Sequence, residues 1–132
     1  MNKVEYVISV GAGKNQLPLI KRLVERGYKV ISFDKNMNAP GKQISHIFGN
    51  ISTWDYSSAI QWLDSLELRF KACLCFSYGR ALISQQKIIE HYNLECQIKD
   101  SFINIMADKS IQRKTLNNFK LSTLKENDNV IY

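Results

Sequence analysis

Gly11, Gly13, Lys14 and Gln16 share one short stretch of this 132-residue chain, and Asp34, Arg80, Lys109 and Arg113 lie beyond it. Their types suit the capture of an anion. Glycines in a tight turn let backbone N–H groups approach a phosphate or carboxylate, and a helix that starts there adds its positive end. Lys14 and Arg80 would supply charge near such a turn. Lys109 follows Asp108 at an expected helix start, where the dipole disfavours a cation unless it reaches out to an anion. Arg113 lies four residues on, one helical turn away, so both cations can face one site. Arg80, after Gly79, shares the same unfavourable placement. Each residue also has a plainer reading. Gly11 and Gly13 can be a tight turn alone, and Gln16 can be a helix-start residue that bonds a neighbouring loop. Lys14 and Lys35 can be solvated lysines, and Asp108 can be a helix cap with Lys109 simply exposed.

These residues need elements to hold them. Val4 to Val10 is an apolar run suited to a mostly buried strand, and Gly11-Ala12-Gly13 is the turn after it. Gln16 to Arg26 carries Leu17, Ile20, Leu23 and Val24 at helical spacing. Gly27 stands where a left-handed helix stop is expected. A second strand, Val30 to Phe33, ends at Asp34. Strand, turn, helix, strand is the opening βαβ unit of a parallel sheet. Lys35 to Lys42 reads as a loop whose asparagines can bond their own backbone. His46 to Ile51 is a short third strand. Asp55 is the expected N-cap of a helix from Tyr56 to about Leu66, with Ala59, Ile60, Leu63 and Leu66 on one face. Lys71 to Phe76 is a fourth strand, and Ala81 to Tyr92 a third helix. Ser101 to Ala107 has helical spacing through Phe102, Ile105 and Met106. The expected fold is α/β: a three-layer Rossmann-like domain with a parallel sheet of about four strands, plus C-terminal helices.

Two ligand classes fit a glycine turn in such a sheet. A dinucleotide fingerprint wants a third glycine where Gln16 stands, so its bulk argues against nicotinamide. Asp34, 23 residues after Gly11, falls near the place of a ribose-binding acid, which keeps a nucleotide-sugar or NAD-binding domain as the alternative. A non-catalytic interaction domain is a third class.

Composition narrows the field further. No apolar run is long enough to span a membrane, and the apolar N-terminus leads into a glycine turn rather than a cleavage site. A cytoplasmic protein is expected. Three cysteines in no metal-binding pattern, with only His46 and His91 to help, argue for reduced thiols and no metal site. Cys73 and Cys75 should point to one face of a strand, too extended to bridge each other. The formal net charge of +6 raises nucleic acid, but no arginine-rich helix or aromatic–basic interleaving supports it. A solvated basic face or an anionic small molecule fits better, and a homodimer is allowed.

The segments GAGKNQLPLIK and ERGYKVISFDKNMNAPG carry a further signal. They resemble the N-terminal, pre-ATP-grasp domain of ATP-grasp ligases, the group of the carbamoyl phosphate synthase large chain, biotin carboxylase and the purine-pathway carboxylases. In that family a GAG-x-x-Q-x-P turn and a D-x-N-x-x-A-P-G loop follow strands one and two. Both stand here nearly intact, as Gly11–Pro18 and Asp34–Gly41. An aspartate-lysine pair opening a helix is the third shared feature, matched by Asp108-Lys109. The family's glycine and proline after that helix are replaced by Lys120-Leu121-Ser122-Thr123. The likeness covers about Lys3 to Thr123.

The resemblance implies residues 1–124 as the pre-ATP-grasp domain and 125–132 as the start of a linker. A missing ATP-grasp domain, in cis or as a separate chain, would bring ATP and magnesium. ATP would then phosphorylate a carboxylate, and a nucleophile would attack the acyl phosphate. Lys109 and Arg113 would contact the nucleotide. Gly11, Gly13, Lys14, Gln16, Asp34 and Arg80 would face a small carboxylate or phosphate substrate. The fragment alone is expected to hold no cofactor and to turn over no ATP.

Overall fold

In the computed structural model, which describes residues 4–77 and 79–95, the apolar runs pair side by side as strands. These are β1 (Glu5–Val10), β2 (Lys29–Phe33), β3 (Ile47–Gly49) and β4 (Arg69–Leu74). They form one all-parallel sheet in the order β3-β2-β1-β4. Between them run α1 (Leu17–Glu25), α2 (Tyr56–Ser65) and α3 (Arg80–Tyr92). The expected α/β class and four-stranded parallel sheet are what is seen. The expected C-terminal helices, Cys96, Lys109 and Arg113 lie outside the described residues.

Alternation along the strands divides the core in two, because successive side chains point to opposite faces. Ile8, Val10, Ile31, Phe33 and Cys73 pack with Ala59 and Leu63 of α2 and Ile88 and Ile89 of α3. On the other face Val30 packs with Ile20 of α1, Ala12 and Ala39. Ile20 is fully buried, so Ile20→Ala would cost about 2–5 kcal/mol through the cavity it leaves. Two serines, Ser9 and Ser32, are fully buried on this second face. Each is satisfied: Ser9 Oγ donates to the Gly11 carbonyl at 2.8 Å, and Ser32 Oγ lies 2.6 Å from Ser45 Oγ.

The helix ends match the sequence closely. After Arg26 the Gly27 N–H bonds the Val24 carbonyl and the Tyr28 N–H the Leu23 carbonyl, both at 3.0 Å. Those two bonds satisfy carbonyls that the last turn would otherwise leave open. Asp55 caps α2, its Oδ1 accepting from the Ser58 N–H at 3.1 Å. Bonds from the Ser58 hydroxyl and N–H hold its carboxyl below the ordinary aspartate range.

Two strands depart from expectation. β4 begins two residues before Lys71 and ends at Leu74. Arg69 and Phe70 pair with Glu5 and Tyr6, and the register shifts at Lys71 before Ala72 meets Val7. Cys75 and Phe76 leave the ladder, and the Phe76 carbonyl is taken by a side chain instead. The third strand is shorter than the run from His46 to Ile51. His46 still donates its N–H to the Val30 carbonyl, while its Nδ1 accepts from the Val30 N–H at 3.0 Å.

Candidate functional site

In an open parallel sheet the loops at the carboxyl ends of the strands gather at one edge, and ligands bind there. In this chain those loops are residues 11–16, 34–46, 50–55 and 75–77, and hydrogen bonds lace them together. Ala12 is the hub. Its N–H donates to Asp34 Oδ2 at 3.0 Å, and its carbonyl accepts from the Gly41 N–H at 2.7 Å. Asp34 Oδ1 accepts from the Asn36 N–H at 3.0 Å. Asn36 in turn accepts from the Asn38 N–H at 2.9 Å, a local asparagine turn. Asn50 Nδ2 donates to the carbonyls of Asp34 and Lys35, which ties in the third loop.

Gln16 joins the fourth loop. Its backbone begins α1, yet its side chain caps nothing there. Instead Nε2 donates to the Phe76 carbonyl at 3.1 Å, and the residue is 8% exposed. The carboxamide lies over both glycines of the turn. A methyl group added at Gly11 would meet Gln16 Cδ at 3.1 Å, and one at Gly13 would meet Gln16 Oε1 at 3.2 Å. Gly11 also has a φ of 101°, a conformation L side chains rarely adopt. The glycine turn therefore makes room for a glutamine of the same chain.

Gly11, Gly13, Gln16 and Asp34 thus come together at one place. Lys14 is exposed beside them. Arg80 is also exposed and stacks its guanidinium 5.0 Å from the Trp54 ring centroid, a cation–π contact. It comes after Gly79, whose φ is 77° and which supplies no side-chain cap to α3.

Several residues of this edge are not apparent from the sequence. Trp54 and Phe76 are 61% and 68% exposed, and with Met37 and Tyr56 they put four large apolar side chains on these loops and the start of α2. For Trp54 the signal available in the sequence is an aromatic residue between a strand and the Asp55 helix cap. Gly41 reads there as part of a loop. Its real constraint is close approach, since a methyl there would lie 2.8 Å from the Ala12 carbonyl oxygen.

Among the described residues no group of three or more His, Cys, Asp or Glu could hold a metal ion, and no helix is long and apolar enough to cross a membrane. No family model matches the chain, and no curated protein matches it either. Solved structures do match. An ADP complex of N5-carboxyaminoimidazole ribonucleotide synthetase shares 17% identity with a TM-score of 0.69, over 95% of this chain and 33% of that one. Phosphoribosylglycinamide synthetase from Anaerococcus prevotii shares 20% identity with a TM-score of 0.64, over 88% of this chain and 29% of that one. UDP-glucose 4-epimerase from Thermotoga maritima, solved with UDP-glucose, shares 15% identity with a TM-score of 0.53 over 69% of this chain. This chain therefore spans about a third of the length of the structures it resembles, and what it shares with them is the Rossmann-like α/β fold.

Proposed function

We propose that this chain is the N-terminal, substrate-side domain of an ATP-grasp ligase. The observation that carries the reading is the clasp at Ala12. The Gly11–Pro18 turn and the Asp34–Gly41 loop, the two segments that resemble the ligase family, bond each other through one residue. Ala12 gives its N–H to Asp34 and takes the Gly41 N–H on its carbonyl. A shared fold with two synthetases over at least 88% of this chain supports the same reading.

In this reading the laced loops present a rigid edge to a small carboxylate or phosphate, with Lys14 and Arg80 as its cations. Within the class, the motifs resemble most the large chain of carbamoyl phosphate synthase, hence acyl-phosphate chemistry. Among the described residues no three or more His, Cys, Asp or Glu side chains gather to hold a metal ion. Metal and ATP would belong to an ATP-grasp domain, in cis or as a separate chain, and Lys109 and Arg113 would be this chain's contribution to the nucleotide.

The alternative, a nucleotide-sugar or NAD-binding domain, meets an obstacle at Gln16. Its carboxamide lies over the turn where a pyrophosphate would settle. Backbone amide resonances titrated separately with inorganic phosphate, bicarbonate, NADH and UDP-glucose test the choice. Shifts at Gly13, Lys14 and Arg80 with phosphate or bicarbonate are expected, with no saturable NADH binding below about 1 mM. Micromolar NADH binding that is lost in Asp34→Ala would overturn the ligase reading.

A further inference from the structure

Arg80 opens α3, where the positive end of the helix disfavours a cation, and Gly79 before it gives no side-chain cap. Contacts with the start of α2 and the residues before it hold this first turn. The Arg80 guanidinium carbon lies 5.0 Å from the centroid of the Trp54 ring. One turn on, the fully buried Ser84 donates its hydroxyl to the Thr53 carbonyl. Lys87 Nζ lies over the Tyr56 ring, 5.9 Å from its centroid. Residues three and four apart share one stripe of a helix, so Arg80, Ser84 and Lys87 fasten one face of α3 along Thr53–Tyr56. Trp54 is itself held on both sides. Its N–H donates to Ser52 Oγ at 3.2 Å, and Asp55 after it caps α2.

We infer that Trp54 is a positioning residue for anion capture and acts through Arg80. The inference rests on the reading of Arg80 as a cation of the laced edge. Charge and entropy both favour the role. The negative face of an aromatic ring attracts a guanidinium without neutralising it. A carboxylate partner would neutralise the charge that an anion needs. The ring thus offsets the unfavourable helix dipole and leaves the positive charge for a ligand. A long side chain also loses rotamer freedom when it closes on a ligand. The indole restricts Arg80 before any ligand arrives, and Ser84 fixes α3 against the residue next to that indole.

Trp54→Leu and Trp54→Phe in the full chain test the role, with inorganic phosphate as the probe and the Gly13 amide shift as the readout. Trp54→Leu should weaken phosphate binding about two- to tenfold, the range for one long side chain left to be immobilised on binding. Its melting temperature should stay nearly unchanged. Trp54→Phe keeps a ring and should retain most of the affinity. The Arg80 δ-methylene protons report the contact directly. Their upfield ring-current shift should persist at saturating phosphate and vanish in Trp54→Leu. Phosphate binding by Trp54→Leu as tight as the parent's, or tighter, overturns the inference. So does the same loss when Trp54→Leu is made in an Arg80→Ala background, because Trp54 would then act by another route. Parent-like binding by Arg80→Ala alone marks a different failure: the assignment of Arg80 to the anion falls first, and the inference with it.

Discussion

The contact between Gly11 and Gln16 can be measured as a coupling. Gly11→Ala forces a side chain into a φ of 101°, which costs about 1–2 kcal/mol. The new methyl would also sit 3.1 Å from Gln16 Cδ and 3.3 Å from Oε1. The carboxamide must then give by a few tenths of an ångström, which strains its bond to the Phe76 carbonyl at a cost of up to about 0.5–1.5 kcal/mol if the bond breaks. Gln16→Ala loses the same bond and the burial of its stem, for a total of about 2 kcal/mol. In the double variant the backbone strain remains, but the bond can be lost only once. Its destabilisation should therefore fall short of the sum of the singles by about 1 kcal/mol. Urea unfolding at neutral pH reads all three values. Additivity within about 0.3 kcal/mol would mean that the glutamine does not rest on the glycine turn, and the account of the turn as a seat for Gln16 would fail.

Separate contacts give further expectations. Gly41→Ala should cost about 2–4 kcal/mol, because its methyl would lie 2.7 Å from Ile20 Cδ1 and 2.8 Å from the Ala12 carbonyl oxygen; a loss under about 1 kcal/mol by urea unfolding would contradict the clasp. Tyr92 donates to Asp64 Oδ1 at 2.6 Å, and that bond chiefly holds the Asp64 carboxyl below its ordinary value. A depressed carboxylate stabilises above its unfolded value and loses this as pH falls through the folded one. Tyr92→Phe should therefore raise the Asp64 value in an NMR titration, and its stability deficit at pH 7 should shrink below about pH 4. Burial pushes the Cys75 thiol up to about 11, leaving about one thiolate in a thousand at pH 8. Alkylation of Cys75, with peptide mass mapping as the readout, should run about a hundredfold slower than that of a free thiol; equal rates would place it at the surface.

The sequence reveals some features and hides others, for physical reasons. Periodicity locates α1, α2 and α3 because each buries one stripe, and the stripe is a local property of the chain. Asp55 is legible as a cap because a cap needs only its own next three residues. β4 is misplaced because ACLCF, after Lys71, is an unbroken apolar run, and an apolar run does not say where pairing begins. Its limits are set by β1, through Glu5 and Tyr6, about 65 residues away in the chain. The same distance hides the role of Gln16. Its position opposes a dinucleotide turn, but its partner, the Phe76 carbonyl, lies 60 residues on. A backbone acceptor leaves no mark on the residue type.

Asp34 combines both cases, and it decides which variants can probe the site. By sequence it is a ligand-binding acid or a ribose partner, because a carboxylate after β2 is placed for either. In the fold its two oxygens hold the backbone of Ala12 and Asn36 at 3.0 Å each. Asp34→Asn would leave one of those N–H groups facing an amide that donates rather than accepts, so the loop and the β1 turn would separate. Loss of ligand binding in that variant would therefore not by itself prove contact with the ligand. Lys14 and Arg80 are the better probes, since neither side chain is part of the lacing. Lys14→Ala and Arg80→Ala should leave the melting temperature nearly unchanged while removing the phosphate-dependent shifts at Gly13. If both variants bind phosphate as the parent does, the laced edge is scaffold alone and the anion site lies elsewhere.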